Sequence, residues 1–432
     1  MLRTASLLAV SLAVLPVSGH AQHPDIDRKI AMIAPRMVEV RHHLHQYPEL
    51  GNREHETAAL IARHLGEMGF DEVRTGIAHT GVVGILHGGR PGPVIAVRAD
   101  MDALPVTEET PYPFKSTVRT TYLGQEVGVS HACGHDIHMA VQLGLARVLS
   151  ELRDALPGTV VFIFQPAEEG APPGEEGGAA LMIQEGVLED PRPEAIFGLH
   201  TFWNMPVGQV GFTAGPALAA SDHFWITISG TGAHGAQPEE SADPIVMAAQ
   251  AVTALQTIRS RNMSPMEPGV VTVGMIRGGT RFNIIPEQVT LEGTVRSYST
   301  ATQDLVERRM HTILGGLATA GGGGYDLVYE RGIPVTVNDE DLTERVVPSL
   351  AAALGAENVQ RIPPATVAED FAFFATAVPG FYYRLGTLKP GTTSGNHHTP
   401  TFQADDSAIP IGIKAMAYLV WDYLERGSGS GP

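Results

Sequence analysis

The sequence is short of cysteine, of positive charge and of long apolar runs. Of 432 residues only Cys133 is a cysteine, so no disulfide can form within one chain. Lys and Arg number 29 against 47 Asp and Glu, a formal net charge of −18. That balance argues against nucleic acid or an anionic membrane as a partner. A basic pocket can still sit inside the acidic field, so charge alone leaves a small-molecule substrate open. After the N-terminal segment there is no transmembrane run and no internal repeat. At this length a single ordinary core is excluded too, and two domains are expected.

The first residues read as a processing signal. Arg3 supplies a positive start, Ser6 to Val17 form an apolar stretch too short to span a bilayer, and Gly19 and Ala21 stand at the −3 and −1 positions before Gln22. Residues 1–21 are therefore expected to be removed and the chain exported, periplasmic or secreted, with no membrane attachment afterwards. In an oxidising compartment a lone thiol is either buried and inert or bound to something, commonly a metal.

Periodicity predicts helices over 26–46, Glu54–Met68, Met139–Leu152 and Ala179–Glu185. Pro35 inside the first pattern predicts a kink or a later start. Short apolar runs at Val82–Leu86, Val94–Val97, Val160–Phe164 and Ile196–Leu199 alternate with these helices, which implies an α/β fold on a buried, largely parallel sheet. Near residue 217 the pattern changes. Strands at Phe224–Ile228, Val270–Ile276, Val289–Val295 and Tyr325–Tyr329 with helices at Ala242–Arg259 and Thr302–Leu317 describe an α+β insert with an open sheet. The expected division is 22–216 plus 332–426 for the main domain, 217–331 for the insert and 427–432 for a flexible tail. Helices at Glu340–Leu354 and Asp406–Leu424 close the main domain.

The sharpest chemical segment is His131-Ala-Cys-Gly-His-Asp-Ile-His138, where Cys133 and His135 put two metal-type ligands on one turn. Asp136 and His138 are placed to orient imidazoles by hydrogen bonds. Next come Glu168 and Glu169, directly after an apolar strand, where open α/β sheets put their sites. Paired carboxylates can divide labour, one gripping metal and one moving protons. His200 closes the run Ala195–Leu199, and His398 sits in Asn396-His-His-Thr-Pro400; taken alone, a histidine in either place is more often structural or on the surface. With Cys133, His135 and Glu169 they make five ligands, a number that suits two metals sharing a water. Asp102, in Arg98-Ala-Asp-Met-Asp102, either orients a ligand or pairs with Arg98.

These motifs, together with Pro166-Ala-Glu-Glu-Gly170, Gly230-Thr-Gly-Ala-His234 and Asn283-Ile-Ile-Pro286, resemble the amidohydrolase branch of the aminoacylase/carboxypeptidase superfamily of metallopeptidases. That branch holds hippurate hydrolases, N-acyl-amino-acid amidohydrolases and indole-acetyl-amino-acid hydrolases. The resemblance implies a di-metal catalytic domain with an inserted lid, cleaving acyl-amino-acid substrates with Zn, Mn, Co or Ni. It implies Cys133, His135, Glu169, His200 and His398 as metal ligands and Glu168 as general base. It also implies His234 as oxyanion stabiliser, often from a partner subunit, and assembly as a homodimer or homotetramer. Asn283, and more weakly Arg296, would grip the substrate carboxylate. Two departures stand out: the longer loop at 171–176, and Gly-Ala-Gln-Pro238 after His234.

Overall fold

The computed structural model describes residues 22–427. The expected signal segment and residues 428–432 of the tail lie outside them.

The main sheet has eight strands, and its centre is built from four that run parallel. In spatial order these are Pro157–Gln165, Arg90–Asp100, Ile196–Pro206 and Gly380–Leu388. Gly81–His87 and Glu72–Ile77 extend one edge antiparallel; Val210–Phe212 and Val359–Arg361 extend the other. The central strands are apolar on both faces because both faces are covered. Period-two alternation divides them. Phe162, Phe164, Val97, Phe197 and Phe381 face a layer containing the helices Pro24–Gln46, His135–Glu151 and Ala408–Arg426. Val161, Ile163, Ala96, Ile196 and Tyr382 face the short helices Gly178–Gln184 and Phe371–Ala377.

Pro35 does not delay the first helix, which is continuous from Pro24 to Gln46. Its ring lies on the exposed side, where water can satisfy the carbonyl freed by its missing N–H. The strand at Ile196 continues to Pro206 rather than stopping at Leu199, since it keeps pairing with Gly380–Leu388.

Within 217–331, a four-stranded antiparallel sheet runs in the order Gly269–Gly278, Gln288–Ser297, Ala220–Ser229, Gly324–Ile333. The helices Pro244–Thr257 and Thr300–Gly321 pack on one face through Phe224, Ile226, Leu291, Leu255 and Met310. Both helices start at side-chain caps, Asp243 accepting from Ile245 N and Ser299 from Thr302 N. The second ends at Gly322, whose φ of 70° an L side chain resists.

Candidate metal centre

Parallel strands place their C-terminal ends on one edge, and the polar segments gather there. Cys133 and His135 flank Gly134 at the start of the His135–Glu151 helix. Gly134 is required twice over. Its φ is 92°, and a Cβ there would lie 2.4 Å from Thr201 Oγ1. Glu168 and Glu169 follow strand Pro157–Gln165 through a turn in which Ala167 takes a φ of 50° and donates its N–H to Glu54, 2.9 Å away. His200 lies inside the strand Ile196–Pro206, a correction to its expected place at a strand end. His398 holds a φ of 63°, a strained backbone of the kind that collects at functional sites.

These side chains converge. Cys133 Sγ is 3.4 Å from His200 Nε2, and His398 Nε2 is 3.0 Å from Glu169 Oε1. His135 Nε2 is 3.8 Å from Glu168 Oε2 and 3.9 Å from Glu169 Oε1. Three overlapping sets, Cys133–Glu169–His398, Cys133–His200–His397 and His135–Glu168–Glu169, each hold their ligand atoms within 4.8 Å of one another. His397 and His398 both reach Cys133, so the ambiguity between them persists in three dimensions.

The surroundings fix the imidazoles. His135 Nδ1 donates to Asp102 O at 2.8 Å, which leaves Nε2 facing the cluster. Asp102 also accepts the Glu169 N–H at 2.9 Å. Asp100 takes the other role considered for this pair, bonding Arg98 Nη1 at 2.7 Å and His138 Nδ1 at 2.5 Å. His138 Nε2 then accepts the Thr201 N–H at 2.8 Å, so both its nitrogens are used and it braces the strand beside His200. Asp136 does not orient any imidazole of the cluster. It bonds Arg41 and His45 at 2.8 and 2.9 Å, because the first helical turn aims it toward the Pro24–Gln46 helix.

The field favours a cation. Burial opposes charge on His135, yet Asp100 and Asp102 outweigh it and raise the imidazole to about 10. Burial, with His138 and His397 nearby, holds His200 well below the usual range, in the neutral form that ligates metals. Burial and the carboxylates Glu369 and Glu169 push Glu168 well above the carboxylate range. His135 Nε2 and Asp102 Oδ1 are buried with no hydrogen-bond partner. Thiolate, imidazole and carboxylate donors around such orphaned atoms fit divalent transition metals.

Residues 96–422 match the profile of Peptidase family M20/M25/M40. The chain belongs to peptidase family M20. As a member it is a metal-dependent hydrolase. Among similar proteins is an N-acetyl-L-cysteine deacetylase of Bacillus subtilis, 38% identical over 92% of this chain and 89% of that one. Another is the IAA-amino acid hydrolase ILR1-like 4 of Arabidopsis thaliana, 37% identical over 90% and 86%. A crystal structure of a dinuclear metal binding M20 peptidase from Bacillus subtilis superposes with a TM-score of 0.77 at 34% identity, covering 91% of this chain and 99% of that one.

Two cavities flank the M20 cluster and share Glu169. One, of about 390 Å³, is lined by Cys133, Glu168, His200, Trp203, Arg384 and His398 among others. The second, of about 550 Å³, lies between Leu104, Tyr122 and Pro172–Pro173. The long 171–176 loop thus walls a cavity at the site. Its Glu175 is fastened to Arg53 at 2.5 Å and to Asn52 at 3.1 Å. His234, Asn283 and Arg296 line neither cavity. His234 is exposed on a two-residue strand paired with Ile284–Ile285, and Arg296 bonds Thr294 and Val295 O in its own sheet.

Sequence reasoning missed Glu369, Asp370 and Arg384. Arg98 ties Glu369 and Asp370 to Asp100, whose pairing with Arg98 the sequence offered, with contacts of 2.7 to 2.9 Å. The pair Glu369-Asp370 precedes the helix Phe371–Ala377 and follows no strand directly, so the signal that exposed Glu168-Glu169 is absent there.

Proposed function

We propose that this M20 chain hydrolyses the amide bond of N-acyl amino acids, releasing a free amino acid and a carboxylic acid. The observation carrying this reading is the convergence of Cys133, His135, Glu169, His200 and His398 beside a further carboxylate, Glu168, that is mostly buried and forms no side-chain hydrogen bond among the described residues. A binding protein needs the ligands but has no use for an extra base. The relatives named for N-acetylcysteine and IAA-amino acid substrates support the same class.

Two divalent ions, drawn from Zn, Mn, Co or Ni, would supply Lewis-acid polarisation of the carbonyl and acidify a water. The five ligand residues would hold them, steered by Asp100 and Asp102. Glu168 takes the proton from the attacking water and passes it to the leaving amine nitrogen. Its elevated proton affinity suits both steps. His234 donates to the developing oxyanion. Since it is exposed and lines neither cavity of its own chain, we assign that contact to a homodimer in which the lid of one chain covers the site of the other. The leader reading sends the enzyme out of the cytoplasm, and a native N-terminus at Gln22 is expected.

The test is a hydrolysis panel of hippurate, N-acetyl amino acids, an indole-acetyl conjugate and dipeptides, on chelated enzyme and after adding back Zn, Mn or Co. Metal-restored amino-acid release from the acyl substrates supports the proposal. Cleavage of dipeptides alone makes the enzyme a peptidase. No cleavage with any metal makes it a binding protein.

A further inference from the structure

The cluster cavity contains a cation that the chemistry above does not use. Arg384 lies on the strand Gly380–Leu388, in register with His200 on the neighbouring parallel strand. Its guanidinium stands over the Phe202 ring, 4.6 Å from the centroid. Among the described residues it makes no side-chain hydrogen bond and no ion pair, although Glu168, Glu169 and Glu369 line the same cavity.

The other buried arginines behave differently. Arg41 is held by Asp136 and Asp406, and Arg98 by Asp100, Glu369 and Asp370. Each sits in a saturated network, as buried charge demands. Arg384 is half-buried among Phe202, Trp203, Leu218, Ala365 and Val367, and desolvation lowers its proton affinity. Arg296 and Arg345 are likewise half-buried without a carboxylate, but they bond hydroxyl or carbonyl oxygens, whereas Arg384 bonds none among the described residues. Its stem is fixed by the aromatic ring beneath it, so little ordering cost remains when an anion arrives. Arg296, the residue expected for this duty, is instead occupied by its own strand and lines neither cavity.

We infer that Arg384 recognises a carboxylate of the substrate, in the cavity where Cys133, Glu168 and His200 act on the amide. This rests on the amide-hydrolase reading and adds which residue selects the substrate. A bidentate guanidinium–carboxylate contact at this place fixes the amide's position relative to Glu168. The carboxylate belongs either to the amino acid released or to a dicarboxylic acyl group. The chemistry is the same, and the substrate arms below separate them.

The experiment compares the metal-loaded enzyme with Arg384→Ala and Arg384→Lys on three compounds. These are hippurate, with its carboxylate on the amine side; its carboxamide, with none; and N-succinylbenzylamine, with a carboxylate on the acyl side only. Calorimetric Kd values for the same compounds on metal-free protein supply a readout that does not need turnover, and thermal melts report folding. Arg384→Ala is expected to lower one acid-to-carboxamide ratio, in kcat/KM and in binding, by about tenfold or more. Arg384→Lys is expected to recover part of it. A fall in the hippurate ratio assigns the α-carboxylate, and a fall in the succinyl ratio assigns the acyl side. Equal losses on all three compounds, or no change in any ratio, overturn the assignment. If nothing is hydrolysed the proposed function fails, while the binding ratios still decide Arg384.

Discussion

The edge of the eight-stranded sheet and the segment 217–331 treat their polar residues in opposite ways. At the edge of the eight-stranded sheet the neighbours of the proposed ligands are themselves tied down: Asp102 holds both His135 and the Glu169 backbone, and His138 is clamped between Asp100 and Thr201. Within 217–331, the His234 side chain, on a separate two-stranded sheet, accepts a hydrogen bond among the described residues only from its near neighbour Ala236 N, and Arg296, in the four-stranded sheet, bonds Thr294 and Val295. A site meant to hold ions must be rigid before they arrive. A group that meets a reaction only when two surfaces close needs exposure instead. The difference separates residues that build a centre from residues that visit it.

Substitutions on the two sides should therefore fail differently. Glu168→Gln is expected to lower kcat by roughly 10²–10⁴-fold while metal content, read by elemental analysis, stays at the wild-type value. Retained turnover would remove its role as base. His234→Ala should cost about 10²–10³-fold in kcat, again without loss of metal. Mixing it with Glu168→Gln chains should restore activity, because mixed dimers contain one intact site. No recovery on mixing would place His234 within its own chain's chemistry or outside catalysis. Asp102→Asn should instead act through the ions, weakening metal affinity about 10–100-fold with kcat recovered at saturating metal. Metal affinity unchanged by this substitution would break the contrast between the two regions. The smallest effect is expected from Glu175→Ala, which unfastens the 171–176 loop from Arg53. KM for bulky acyl groups should shift a few-fold relative to N-acetyl substrates, with metal content and kcat steady.

The parts of the site legible in the sequence were those whose meaning is local. Cys133 and His135 share a turn, and Glu168 and Glu169 follow directly on an apolar strand, so spacing alone exposes them. The parallel sheet was legible for the same reason: strands buried on both faces are continuous apolar runs. What escaped depends on which strands become neighbours. Arg384 acquires significance only because its strand lies beside that of His200, 184 positions away in the chain. Asp136 does orient an imidazole, but that of His45 outside the cluster, because its place in the helix turns it away from the cluster. Asp100 ends the strand Arg90–Asp100 and Asp102 follows it by two residues, and the packing of Arg98 and His138 separates their duties.

The central claim is that this cluster holds two divalent ions on which amide hydrolysis depends. The direct measurement is metal stoichiometry per chain during stepwise chelation, with hippurate hydrolysis followed in the same samples. The account predicts two equivalents in the active enzyme, loss of hydrolysis as they are withdrawn, and recovery with added Zn, Mn or Co. Full hydrolysis in metal-free protein, or full activity with less than one equivalent per chain, would contradict it.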